Sequence, residues 1–411
     1  MKAPIGTGHG SQTNHDGSTA PNHVSTLSKG SHMTHGCIVR RGWMKGIALA
    51  AGFVGMVASA PADAATYTWN AAQTGQSWSS NSSWLGGSAP PAGNDLVFGS
   101  PGGGSSRTAN NNIANNFAVN TLSFSGTTVY TLSGSSITIG NVPGGAITNN
   151  TSRSHTINLG VNLVGTTPIT VVGGNSSTGL VFGGAVDNGP GINLVSGRAS
   201  FTQSISGSGP ITTSATSALT LSGTSLGGNL AVSGTFTVGT NPLQLNVSGS
   251  TTLNATSYTQ MQVGSTGQSI VAGGNYDEII TPAVTFGGTL EMNFAGLQYD
   301  VNTLETFFTA WDLFTASSYS GNFTSVKVIN APSDYSNMNG NWTLVGGVWQ
   351  SPIINNDAGN QYFAFDATTG QLVVVPEPST MVFAGLGMAI SGWHWLSKRR
   401  KAVASAAAVA G

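Results

Sequence analysis

The amino-acid sequence predicts an all-β fold of many short strands joined by tight turns. Three observations carry this reading. Val, Ile, Leu and Phe recur in short alternating runs broken by Gly, Asn and Ser, the period of strands closed by turn residues. No long helix-period segment occurs between Ala65 and Val375. Charged residues are only 7% of the chain, against roughly 25% in ordinary globular proteins. Hydrophobic residues still reach 39%, which is enough to build a core.

Residues 1–64 read as a leader and export signal. Arg40, Arg41 and Lys45 precede an apolar run from Gly46 to Ala60, and Ala62-Asp63-Ala64 supplies the small-x-small cleavage pattern. Cleavage is expected after Ala64. Met33 and Met44 are alternative starts for this leader. Cys37, the one cysteine, lies before the apolar run rather than after it, which excludes a lipoprotein signal. The body beyond it has neither disulfides nor a thiolate metal site.

Residues 65–112 are rich in tryptophan, with Trp69, Trp78 and Trp84 close together. They serve either as an aromatic cap over the open end of a repeat stack or as a platform on which sugar rings stack. Indole N–H groups need partners when buried, so partial exposure fits the second use.

Residues 113–257 repeat an alternating apolar pair that ends in Ser-Gly or Gly-Gly. Thr121-Leu122-Ser123-Phe124-Ser125-Gly126 compares with Gly179-Leu180-Val181-Phe182-Gly183-Gly184, and Tyr130-Thr131-Leu132-Ser133-Gly134 with Leu219-Thr220-Leu221-Ser222-Gly223. The strands return at uneven intervals near one turn of a β-solenoid. Each unit exposes an apolar face that only its neighbour covers, so several must stack. Asn111-Asn112, Asn115-Asn116 and Asn149-Asn150 suit turns, because Asn tolerates left-handed backbone. This segment resembles the autotransporter-associated β-strand repeats. The resemblance implies a right-handed parallel β-helix.

Residues 258–374 form a β-rich C-terminal region with more aromatics and acids, among them Tyr276-Asp277-Glu278, Trp311-Asp312-Leu313-Phe314 and Gly321-Asn322-Phe323. It is expected to cap the stack. Asn302 to Phe308 is the one stretch suited to a helix, and Asp277-Glu278 reads as an exposed turn.

The tail has three parts in order. Val375-Pro376-Glu377-Pro378 is a rigid polar motif, Met381 to Leu396 is apolar, and Lys398-Arg399-Arg400-Lys401 is a basic stop. As a helix the apolar run spans about 24 Å at roughly 1.5 Å per residue, short for a hydrocarbon core of roughly 30 Å. Residues 375–401 resemble the PEP-CTERM sorting signal, which exosortase enzymes process in bacteria that make extracellular polysaccharide. The resemblance implies a single C-terminal transmembrane helix that anchors the chain in the inner membrane until it is cut. Residues 402–411 would be a cytoplasmic tail, since the basic cluster stays inside.

Charge and chemistry narrow the function. Between Ala65 and Val375 the cations are Arg107, Arg153, Arg198 and Lys327, set against 11 acids, a net charge of −7. Such a body does not neutralise a run of phosphates, so nucleic acid is not an expected partner. His155 is the single histidine of the body, has no Gly-x-Ser-x-Gly elbow beside it, and reads as a surface residue of one coil. One histidine and scattered carboxylates build neither a zinc nor a calcium site, so no metal or cofactor is expected. Paired carboxylates for glycoside cleavage do not stand out. The expectation is a non-enzymatic, exported surface or matrix protein associated with exopolysaccharide. A carbohydrate-binding adhesin and a β-helix polysaccharide lyase or hydrolase are the alternatives.

Overall fold

The computed structural model describes residues 64–71, 74–100, 106–140, 144–174, 179–264, 275–295, 310–356 and 359–376. These residues are all-β, with no α-helix among them. Twenty-eight strands join one sheet dominated by parallel pairs, an arrangement consistent with a β-solenoid. Successive coils begin with the strands Thr66–Trp69, Asn94–Phe98, Phe117–Phe124, Ile137–Ile139, Val161–Leu163, Val186–Asn188, Ile205–Ser206, Ser225–Leu226, Gln244–Val247, Glu278–Phe286 and Phe314–Gly321. Each coil then turns into a second sheet face, where Tyr130–Gly134, His155–Ile157, Gly179–Phe182 and their counterparts pair in parallel.

Alternation explains why these segments stack. In Phe117–Phe124 the ends Phe117, Val119, Leu122 and Phe124 are buried and the residues between them are partly exposed. On the second face, register carries an inward column from Leu132 to Ile157, Phe182, Phe201, Leu221 and Val238. The Phe182 and Phe201 rings stack at 4.5 Å within it. Each fully buried Leu or Phe contributes roughly 1.5–3 kcal/mol relative to exposure. A single coil has one layer of such residues, so only a neighbour above and below supplies the burial.

The intervals are uneven because the corners differ in length. Val161 pairs with Ile137, 24 residues back, while Ile205 pairs with Val186, 19 residues back, and Phe314 pairs with Ile279, 35 residues back. Corner asparagines tie neighbouring coils. The Asn111 amide donates to Ser135 O at 2.8 Å, and that of Asn188 donates to Gly209 O at 2.7 Å. Asn116 has φ 55, the left-handed backbone expected of a turn asparagine.

The parallel ladder runs beyond the stretch 113–257 on both sides, from Thr66 to Ile329. At its start, Trp69 bridges Trp84 in antiparallel fashion and Leu85 N–H donates to Thr68 O. The Ser83–Leu85 segment therefore covers an edge that would otherwise be open. At the other end, six strands including Gly359–Asp366 and Gln371–Pro376 form a separate antiparallel sheet. Its Phe365 ring lies 5.7 Å from Phe323 and 6.2 Å from Phe314, and its Phe363 ring lies 5.6 Å from Phe294. These contacts close the last coils with aromatic packing.

The segment Asn302 to Phe308 and the apolar run Met381 to Leu396 lie outside the described residues. Among the described residues, no helix is long and apolar enough to cross a membrane.

Candidate functional site

The tail motif begins inside the fold. In the strand Gln371–Pro376, Leu372 and Val374 are buried, and Val375 and Pro376 pair with Tyr362 and Gln361. The Gln371 amide donates to Asp312 Oδ1 at 2.8 Å and fixes the strand's start. Pro376 has no N–H to offer a ladder, which suits the end of a strand. Glu377 and Pro378 lie outside the described residues, as does Ala62. At the other end Ala64 is described, and Ala65 is the first residue tied to the fold. Its N–H donates to Asn94 Oδ1 at 2.8 Å, and its carbonyl accepts from Asp95 N–H at 3.0 Å.

The three tryptophans are core, not platform. Trp69, Trp78 and Trp84 are 1%, 0% and 2% exposed. Trp84 sits edge-on to Trp69 at 5.0 Å and to Trp78 at 6.3 Å, and its indole N–H donates to Trp78 O at 2.8 Å. No face is left for a sugar ring, so the stacking role for these residues is corrected. Their large rings fill the interior of the first described coil. Trp84→Phe should cost about 2 kcal/mol from lost packing and the lost indole bond. Chemical denaturation measures this, and a cost near zero would contradict the cap.

His155 is also corrected. It is fully buried rather than on a coil surface. Its ring stacks on Phe124 at 4.4 Å, and Nδ1 accepts from Tyr130 N–H at 3.1 Å. Nε2 therefore carries the proton and donates to Thr151 Oγ1 at 2.9 Å, while that hydroxyl donates to Asn149 Oδ1 at 2.7 Å. Burial holds the imidazole down to about 4. Both ring nitrogens of this neutral imidazole are satisfied, and the Thr151 hydroxyl that it meets is itself buried and committed to Asn149.

Asp277-Glu278 is buried rather than an exposed turn. Asp277 Oδ1 accepts from Leu243 N–H at 2.8 Å and Oδ2 from Gln262 N–H at 2.6 Å, so one side chain clamps two neighbouring segments. Burial pushes its carboxyl up to about 8, against the opposing pull of those two N–H groups. Glu278 accepts from Gln244 Nε2 at 2.7 Å and from the Thr315 hydroxyl at 2.6 Å. Glu291 pairs with Lys327 at 2.8 Å and accepts from Gln260 at 2.9 Å and from the Tyr258 hydroxyl. Burial raises the Glu291 carboxyl, but these bonds outweigh it and hold the group below its ordinary value. The oxygens of these three acids are taken by protein donors. Among the described residues no three His, Cys, Asp or Glu side chains gather to hold a metal.

No known protein family, characterised protein or solved structure matches this chain.

One feature had no marker in the linear pattern. A polar groove of about 550 Å³ lies where several coils turn from the first face to the second, lined by Asn150, Ser152, Gly174, Ser196, Gly197 and Thr216. Arg153 and Arg198 are exposed beside these lining residues. The signal available in the sequence was spacing, since Arg107, Arg153 and Arg198 fall 46 and 45 residues apart. That interval acquires meaning only once the coil length is known.

Proposed function

We propose that this chain is an exported structural protein of the cell surface or extracellular matrix, sorted by an exosortase and associated with exopolysaccharide. In the finer reading its coils form a right-handed β-helix, and the apolar tail is a transmembrane helix that holds the chain in the inner membrane until it is cut. The observation that carries the proposal is where the chain leaves its last strand. Pro376 is the last paired residue among those described, and Glu377-Pro378, the apolar run and the basic cluster follow it closely in sequence. A cut beyond this point would leave every described strand intact. A cut after Ala64 would do the same at the other end, where Ala65 makes the first tie. The two proposed processing sites thus bracket the described strands.

A permanent anchor would gain from a longer apolar run and has no use for a rigid Pro-Glu-Pro. The proline pair keeps the backbone extended and lacks two amide donors, which suits presentation to a protease at the membrane. The test compares wild type with Glu377→Ala in a host that has exosortase, reading product mass. Wild type should be released without Met381 to Gly411, while the variant stays membrane-bound with its tail. Equal retention of the tail in both would make the segment a plain anchor and remove this proposal.

A further inference from the structure

The two ends of the stack differ from its walls in surface chemistry. Among the described residues the exposed large apolar side chains are Leu85, Leu344, Val345 and Ile353, at 66%, 46%, 50% and 45%. None of these four lies on the coils between the ends. Leu85 belongs to the segment that covers the first coil, where its N–H donates to Thr68 O. The other three lie in the terminal antiparallel sheet or its connections. Thr343–Val345 is the outermost strand of that sheet, and all three of its residues are exposed. Register shows what Leu344 continues. It pairs with Trp349, which pairs with Phe365, which pairs with Leu372. Directly paired side chains share one face of a sheet, and the last three are buried. The apolar row that builds the core of this sheet thus runs on, uncovered, to an open edge, an arrangement that accepts a further surface.

Charge and the points where the chain leaves the fold say what that surface is. Residues 258–374 carry nine acids and one lysine, a net charge of −8, whereas residues 65–257 carry two acids and three arginines, a net charge of +1. Two terminal sheets brought together would set like charges face to face, so the complementary surface is the opposite end of a second copy. The segments removed in the proposed processing are attached at these same ends. Leu85 lies opposite Thr68, three residues from Ala65. Ile354 and Pro376 flank Gln361 on either side, about 9.6 Å apart at strand spacings of roughly 4.8 Å.

We propose that processed copies of this chain join head to tail, with the Leu85 end of one seated on the Leu344 and Val345 edge of the next. The contact uses a different patch on each partner. Repeated along the coil axis, it extends as an open filament rather than closing. Chain attached at Ala65 and Pro376 obstructs the two patches, which keeps the protein single until both cuts are made. This inference rests on the surface and matrix reading, for which it names the partner as a second copy.

The test uses the full chain, purified in detergent, with a site for a sequence-specific protease placed after Ala64 and another after Pro378. Sedimentation at rising concentration reads the mass before and after cutting. Uncut chain should stay monomeric, and cut chain should grow past the dimer. Leu85→Asp blocks one end and Val345→Asp the other. Both side chains are exposed, so melting should not change, and serine takes the place of either aspartate that lowers it. Either substitution should weaken association by roughly tenfold or more, equivalent to about 1.4 kcal/mol. Each cut variant alone should then stay monomeric where wild type grows. An equimolar mixture of the two should stop at the dimer, because one free head meets one free tail. Cut wild type that stays monomeric, uncut chain that grows equally, dimers from either variant alone, or a mixture that does not pair would overturn the proposal. Cutting in vitro bypasses exosortase, and tail removal by exosortase reads the sorting proposal separately. Failure of one leaves the other standing.

Discussion

Replacing Gly197 with alanine should unfold the chain or leave it insoluble. Gly197 has φ +71, and a Cβ there would overlap the carbonyl oxygen of Gly174 in the preceding coil. The left-handed backbone alone costs an alanine roughly 1–2 kcal/mol. The overlap adds more, because neither partner is free to move. Gly173 N–H donates to Ser196 O at 2.8 Å, and Gly197 itself pairs with Ser217 of the next coil. The expected loss exceeds about 4 kcal/mol, the range reserved for strain locked into a core. Gly75 provides the control. Its φ is +72, yet nothing lies within 4 Å of the added carbon. Gly75→Ala should cost only about 1–2 kcal/mol. Denaturant midpoints for the two variants decide the matter, and equal midpoints would mean the coils are not packed as closely as described.

Stability should be nearly flat between about pH 4.5 and 6.5, because His155 and Asp277 oppose each other. His155 titrates near 4 when folded, below its ordinary 6.5. In this window the unfolded chain binds a proton there that the folded chain does not, so this residue makes stability rise with pH. Asp277 titrates near 8 when folded, above its ordinary 3.8. The folded chain then holds a proton that the unfolded chain has lost, so this residue makes stability fall with pH. The two slopes cancel up to about 6.5. Above that only Asp277 contributes, and stability should decline toward pH 8.

Substitution separates the two slopes. Asp277→Asn should leave a curve that rises by roughly 2–3 kcal/mol across the two pH units and then levels. His155→Phe should leave one that falls throughout the same range. Each substitution also lowers absolute stability, since the amide nitrogen of Asn cannot accept from Gln262 N–H and Phe cannot accept from Tyr130 N–H. The slope is therefore the readout. Urea titrations at several pH values measure it, and unchanged slopes in either variant would show that the group does not titrate as stated.

These two buried groups show where the sequence stopped being legible. The alternating runs around Leu122 and Leu180 announced strands, because a period of two is a local property of the chain. Asp277 and His155 look like surface residues in isolation, since burying a charge or an imidazole is costly unless partners wait for it. Those partners are backbone groups of Leu243, Gln262 and Tyr130, up to 34 residues away. No spacing rule marks them. The tryptophans were ambiguous for the same reason, because a ring's burial depends on whether Phe98 and Phe117 stand opposite it.

Composition and alternation by themselves determined an all-β chain of stacked short strands. They determine it because strand period, turn residues and scarce charge act locally, before any coil meets another. Tertiary structure alone decided which polar groups are interior, how far the ladder extends, and that Arg153 and Arg198 share an edge with a groove. Those outcomes depend on coil length and register. Both are set by packing one coil on the next, a long-range choice between parallel partners that lie 17 to 36 residues apart in sequence.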